Sequence, residues 1–189
     1  MDGTFSFQSL ASFERCPYAY RLDLTEANKG LYAQEFLDKV VRNAIAALNR
    51  RRICGHVIDK DSALSAFWNS WDLQTELNPL CHETDKAELL KIGEKCMTNF
   101  VRFVSGFNSD EIVACDLRGE LQVPGGHVEI RVDEVCMRGN TMVLTKYVSE
   151  PGVRTRKDFE NDYEMFLTLL WVRGNVPASE KCVVQWRLL

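Results

Sequence analysis

The sequence lacks the patterns that mark secreted, membrane-spanning and zinc-binding proteins. It contains no apolar run of the roughly 18 residues that a membrane-spanning helix needs, and no signal peptide precedes Met1-Asp2-Gly3. Its 7 cysteines are odd in number and widely spaced, which predicts reduced thiols in a cytoplasmic protein instead of a disulfide framework. No Cys-x-x-Cys pair occurs, and Cys54-Gly55-His56 with Cys81-His82 matches no standard zinc spacing, so we expect no zinc site.

Basic residues are not in excess either. Lys and Arg number 23 against 27 Asp and Glu, which gives a formal charge of −4 and argues against indiscriminate coating of nucleic acid. A local basic groove is still compatible with this composition, because the local field governs docking more than net charge does. Two basic clusters, Arg50-Arg51-Arg52 and Arg154-Thr155-Arg156-Lys157, are candidate nucleic-acid-binding segments. The alternative is a helix C-terminus for the first and a solvated loop for the second.

The spacing of apolar residues changes near the middle of the chain. Helical spacing predicts helices over 34–52, 61–72 and 84–105; strand-like segments follow over 112–123, 128–137 and 141–148, then a helix over 157–173 and a strand over 181–188. No repeat, low-complexity run or linker divides the chain. We therefore predict a single α+β (α/β) domain over 1–189, mostly helical over 1–107 and with a core sheet and crossover helix over 108–189.

The most specific motif lies near the N-terminus and reads Ser9-Leu10-Ala11-Ser12-Phe13-Glu14-Arg15-Cys16-Pro17-Tyr18-Ala19-Tyr20-Arg21-Leu22. It predicts a short amphipathic helix that carries Cys-Pro-Tyr and a second aromatic residue. This motif resembles the one that opens the RecB-like branch of the PD-(D/E)XK nucleases, which includes helicase-nuclease subunits and CRISPR spacer-acquisition exonucleases. The resemblance extends over nearly the whole chain as a pattern of elements. It implies a restriction-endonuclease-like core of three antiparallel strands, a crossover helix and a returning strand, preceded by helices.

The resemblance also implies where a divalent metal would be held. Asp133 stands at the family's aspartate position on the second core strand, and Lys146 stands at its lysine position on the third. The helical histidine position is occupied by Arg42, and the acidic position on the third strand is occupied by Leu144. Since neither replacement ligates a hard cation, we expect no preformed metal site and no cofactor. We expect Asp133 and Lys146 to face the same side of adjacent antiparallel strands.

A displaced carboxylate is the alternative to a lost site. Glu129, Glu134 and Glu150 are close in sequence, and strand alternation places Glu129, but not Glu134, on the face of Asp133. In that case Asp133 would bind Mg or Mn, and Asp133, Lys146 and Glu129 would be catalytic residues instead of vestigial ones. The crossover helix does not carry the family's Gln-x-x-x-Tyr motif, because the corresponding segment, 162–166, lacks the glutamine.

Iron–sulfur members of the family pair the cysteine of the N-terminal motif with three more near the C-terminus. Here Cys182 is the one late cysteine available to join Cys16. Two thiolates do not hold a four-cysteine cluster, so we expect no iron–sulfur cluster and interpret Cys16 as a small buried residue.

These observations lead to three functional hypotheses. The first is a nuclease-derived, non-hydrolytic subunit that binds DNA or RNA, or acts as a scaffold, in a DNA-processing or CRISPR or phage defence assembly with other protein subunits and no membrane. The second is an active metal-dependent exonuclease or endonuclease with a rearranged carboxylate. The third is a protein–protein interaction module alone.

Overall fold

The mixed α+β organisation predicted from the sequence is confirmed by a computed structural model, which describes residues 3–5, 10, 13–14, 16–18, 21, 33–77, 86–106, 111–124, 126–149, 158, 162–177 and 180–189. In chain order the elements are β1 (Gly3–Phe5), α1 (Ala33–Ile53), α2 (Lys60–Leu77), α3 (Lys86–Gly106), β2 (Glu111–Val123), β3 (Gly126–Arg138), β4 (Thr141–Val148), α4 (Tyr163–Asn175) and β5 (Lys181–Leu188). Within the described part of the chain, no helix combines the length and the apolar character that crossing a membrane requires.

The described strands form one five-stranded mixed sheet. β2, β3 and β4 make an antiparallel meander, and β5 returns parallel to β4 after α4. The tight turn between β3 and β4 contains Gly139 at φ +57°, a left-handed conformation that glycine adopts without a Cβ penalty. β1, which the sequence analysis did not predict, pairs in parallel with Gly126–Val128 of β3. Three residues are too few for alternation to reveal a strand.

The three long helices enclose an apolar core on one face of the sheet. The apolar positions of α1 recur at helical spacing and are buried, among them Phe36, which packs edge-to-face on Trp71 of α2 with ring centroids 5.0 Å apart. Tyr147 of β4 joins this core, 5.5 Å from the ring of Phe100 on α3, and so ties the helices to the sheet. A second, smaller cluster packs Val172 of α4 against Leu144 of β4. Because positions 144 and 147 lie on opposite faces of β4, α4 covers the other side of the sheet.

The largest difference between a predicted helix end and the structure is at the end of α2. α2 extends five residues beyond the predicted end at position 72. α4 starts at Tyr163, where Asp162 caps it by accepting a hydrogen bond from the Met165 backbone N–H at 2.9 Å. The expected start at position 157 lies outside the described residues.

The interpretation of Cys16 as a buried residue is wrong. Cys16 is exposed, and so are Phe13 and Tyr18 on either side of it. Phe13, Cys16 and Tyr18 therefore do not insert their side chains into the helical core, and small size alone does not bury a cysteine when its neighbours stay in solvent.

Gly93 of α3 permits a close approach between helices that a larger residue would prevent. A Cβ at this position would lie 2.3 Å from two ring carbons of Phe67 on α2. Since Phe67 is fully buried, we expect Gly93→Ala to lower the free energy of unfolding by about 1–3 kcal/mol through overpacking. Urea denaturation measures this as a lower midpoint at unchanged slope.

Gly106→Ala is the matched control, because a Cβ there meets no atom within 4 Å at the end of the same helix. We expect it to change the free energy of unfolding by less than about 0.5 kcal/mol. Equal effects of the two substitutions would contradict the described packing of α2 on α3.

Candidate functional site

Asp133 and Lys146 lie on neighbouring antiparallel strands, β3 and β4. The register pairs Val135 with Leu144 and Glu134 with Thr145, and its continuation sets Asp133 opposite Lys146. Residues directly opposite in an antiparallel pair project their side chains from the same face. The charge of Asp133 also acts on the Lys146 ammonium, where it opposes the lowering of the pKa that burial causes. The two residues therefore lie close together on one face of the sheet.

The Lys146 ammonium is buried and held by a carboxylate from α4. Its side chain is only 1% exposed, and Nζ donates a hydrogen bond to Oε1 of Glu164. Burial lowers the pKa of Lys146 overall, while the Glu164 and Asp133 carboxylates oppose that shift. A buried lysine is stable in this position because an acid compensates its charge.

The sequence around Glu164 explains its position. Asp162 caps α4, and Glu164 follows in the first turn, where the helix dipole favours an acidic residue. The sequence analysis did not select Glu164, although it lies in the segment aligned with the family's Gln-x-x-x-Tyr. The available signal was an acidic residue in the first turn of the crossover helix, which passes over the strand that carries Lys146.

The Asp133 carboxylate is occupied by the protein itself. It is 4% exposed, and Oδ2 accepts a hydrogen bond from the Tyr147 backbone N–H at 2.8 Å. Nε of Arg131 lies 3.8 Å from Oδ1. The β2–β3 register is unchanged past this level, from Cys115↔Glu134 to Leu117↔Val132, and its shift lies further along, between Ile112 and Ala114.

Arg42 and Leu144, which stand where the resemblance implies a histidine and an acidic residue, lie in different surroundings. Leu144 is 1% exposed and belongs to the apolar cluster under α4, together with Val132, Val135 and Val172. Arg42 of α1 is near enough for its charge to lower the pKa of Lys146. Neither an apolar side chain nor a cation supplies the negative charge or the metal ligand that the resemblance implies at these two positions.

The glutamates considered as replacements lie elsewhere. Glu129 is partly exposed, with Oε1 3.5 Å from Nη1 of Arg118. Glu134 is buried on the helical side of the sheet, where Oε2 accepts hydrogen bonds from Nη1 of Arg52 and from the Tyr147 hydroxyl, both at 2.8 Å. Burial, followed by this carboxylate, raises the pKa of Tyr147. Glu150 lies outside the described residues.

The three arginines at the end of α1 have different roles. Arg52 is largely buried in its pair with Glu134 and also donates to Asn49 at 2.9 Å. Arg50 and Arg51 are exposed. Arg154, Arg156 and Lys157, the second predicted nucleic-acid-binding cluster, lie outside the described residues.

The described residues at the centre do not together form a ligand set for a divalent cation. Two carboxylates, Asp133 and Glu164, are balanced by the charges of Lys146 and Arg42, and each carboxylate already accepts a hydrogen bond from the protein. A hard cation needs several oxygen ligands with an excess of negative charge. In the described part of the chain, no three His, Cys, Asp or Glu side chains are grouped so that they could hold a metal ion.

Comparisons with known proteins do not identify a family for this chain. No protein-family model matches the chain, and no curated protein matches its sequence.

Removing the Lys146 charge should lower the free energy of unfolding, because it leaves the Glu164 carboxylate without its partner. Lys146→Met is expected to destabilise the protein by about 3 kcal/mol, the lower end for a broken buried pair, since the Glu164 side chain remains 24% exposed. We expect the double variant Lys146→Met/Glu164→Gln to be more stable than Lys146→Met by at least about 1 kcal/mol, because it carries no uncompensated buried charge. Urea denaturation of the single and double variants measures the coupling.

The exposed pair Lys39 and Glu35 on α1 provides the control, with Nζ and Oε1 3.5 Å apart. Lys39→Met/Glu35→Gln and its single variants should show coupling below about 0.5 kcal/mol. If the Lys146 variants behave like this surface pair, the buried ion pair does not exist in solution.

Proposed function

We propose that this chain is a nuclease-derived subunit that no longer hydrolyses nucleic acid and instead binds it, or acts as a scaffold, within a DNA-processing or defence assembly. The observation that carries the proposal is the buried pair of Lys146 with Glu164 at the position where the family resemblance implies a metal centre. A lysine that is neutralised by a carboxylate and sealed by α4 is not free to orient an attacking water.

The arrangement of the core supports the nuclease ancestry. Three antiparallel strands, a crossover helix and a parallel returning strand follow the helical region, in the order that the resemblance implies. Asp133 and Lys146 face each other across β3 and β4 within that order. A fold of this kind hosts different functions, so the proposal depends on the state of the centre and not on the fold alone.

A scaffolding role is supported by the outer surface of α4. The helix leaves four large side chains exposed: Tyr163, Phe166, Leu169 and Leu170. Several exposed apolar residues on one helix are typical of a surface that contacts another protein. The helix that seals the former centre would thus also present a protein-binding surface.

The second candidate function is an active nuclease with a rearranged carboxylate. The specific observation in its favour is that Glu164, and not Glu129, shares the charged neighbourhood of Asp133 and Lys146. This function requires the Lys146–Glu164 pair to open, so that both carboxylates become available to a metal ion.

We expect the purified chain to leave linear single-stranded and double-stranded DNA intact in the presence of Mg²⁺ or Mn²⁺. The physical reason is that the carboxylates are balanced by cations and that Leu144 supplies no ligand. Gel analysis of end-labelled substrates over a range of metal concentrations measures this.

Metal-dependent cleavage would favour the second candidate if the right variants remove it. Loss of that cleavage in Asp133→Ala and in Glu164→Gln, with retention in the half-exposed control Glu129→Gln, would assign the activity to the rearranged centre and refute the proposed function. Cleavage that survives Asp133→Ala would indicate a contaminating nuclease.

A further inference from the structure

A groove of about 470 Å³ lies between α1 and α2, away from the Lys146 centre. Its lining is mixed. The polar side chains include Asn43, Arg50, Arg51, Ser65, Asn69 and Asp116, and small or apolar side chains, among them Ala46, Leu48 and Leu73, complete the walls.

The charge at the rim of this groove is positive, despite the presence of Asp116. Its carboxylate lies 2.8 Å from Nε of Arg131 and 3.8 Å from the guanidinium nitrogens of both Arg50 and Arg118. Arg131 is mostly covered, but the side chains of Arg50 and Arg118 are 63% and 62% exposed. One acid therefore fixes three guanidinium groups and leaves two of them directed to solvent.

The charges just outside the groove are close to balanced. Arg118 is also 3.5 Å from Glu129, and Oδ1 of Asp133 lies 3.8 Å from Nε of Arg131. Hydrogen bonds with Ser62 at the start of α2, with a smaller contribution from the charge of Arg51, lower the pKa of Asp59. The positive charge of the groove therefore comes from its own lining, where Arg50 and Arg51 face the single carboxylate of Asp116. An anion entering the groove would meet a net positive field close to exposed guanidinium groups.

The neutral residues of the groove suit phosphate oxygens. Asn43, Ser65 and Asn69 carry amide and hydroxyl donors, and their side chains make no hydrogen bond within the described residues. Arginine, amide and hydroxyl donors together form the usual set that contacts a nucleic-acid backbone. An amide also contacts a sugar or phosphate without contributing to salt dependence, which gives the site a second, separable signature.

We propose that the α1–α2 groove binds the phosphodiester backbone of a nucleic acid, with Arg50 and Arg51 as the charged contacts and Asn69 as a neutral one. This inference rests on the proposed nucleic-acid-binding function and gives that function a location. It also separates the members of the arginine triplet, since Arg52 is committed to Glu134 inside the fold.

The test measures binding of labelled single-stranded DNA, double-stranded DNA and single-stranded RNA by fluorescence anisotropy over a range of salt concentrations. We expect Arg50→Gln/Arg51→Gln to weaken binding about tenfold or more at low salt and to lower the salt slope by about 1.4–1.8, since each of the two phosphate contacts contributes about 0.7–0.9. Asn69→Ala should weaken binding without a change in slope. The matched control is Lys91→Gln/Lys95→Gln, which removes two exposed charges from α3 and should leave affinity and slope nearly unchanged.

The outcomes separate this inference from the function on which it rests. If the unmodified chain binds nucleic acid but the groove and control variants behave alike, the groove assignment is overturned and the proposed function stands. If the unmodified chain binds none of the three nucleic acids, both fail. Equal affinity for a polyglutamate peptide would overturn the phosphodiester assignment by showing a general anion site. Thermal unfolding should be similar for all variants, because exposed charges contribute little to stability.

Discussion

The buried ammonium of Lys146 is the constraint on which the rest of the centre depends. A lysine at 1% exposure is stable only with a compensating acid, and Glu164 supplies it from the first turn of α4. The same contact connects α4 to the strand that carries Lys146. The Asp162 cap fixes the first turn of α4, and Glu164 projects from that turn towards Lys146.

A second polar arrangement ties the opposite face of the same strands to α1. Glu134 accepts hydrogen bonds from Arg52 and Tyr147, and Tyr147 in turn packs on Phe100 in the helical core. Asp133 and Glu134 are neighbours on β3, but their carboxylates accept hydrogen bonds on opposite faces of the sheet. A sheet whose central strands are held by charged contacts on both faces has little freedom to open a metal site without losing stability.

The sequence predicted the long elements well, because burial of α1, α3 and the meander strands produces clear periodicity over many residues. Local sequence patterns did not predict features that depend on contacts between residues far apart in the sequence. The strand at 3–5 is too short to alternate, and the exposure of Cys16 depends on where its segment packs. Arg52 differs from Arg50 only through its distance to Glu134. Glu164 became identifiable only when the crossing of α4 over β4 was known, since no spacing rule links it to Lys146.

A centre in which Lys146 and Arg42 balance Asp133 and Glu164 should have no affinity for a divalent cation. Titration with Mn²⁺, followed by the loss of the free-ion signal in electron paramagnetic resonance, tests this directly and independently of any substrate. We predict no saturable binding in the submillimolar range, because Asp133 and Glu164 are both engaged by protein donors. Stoichiometric submillimolar binding that disappears in Asp133→Asn and in Glu164→Gln would contradict the account.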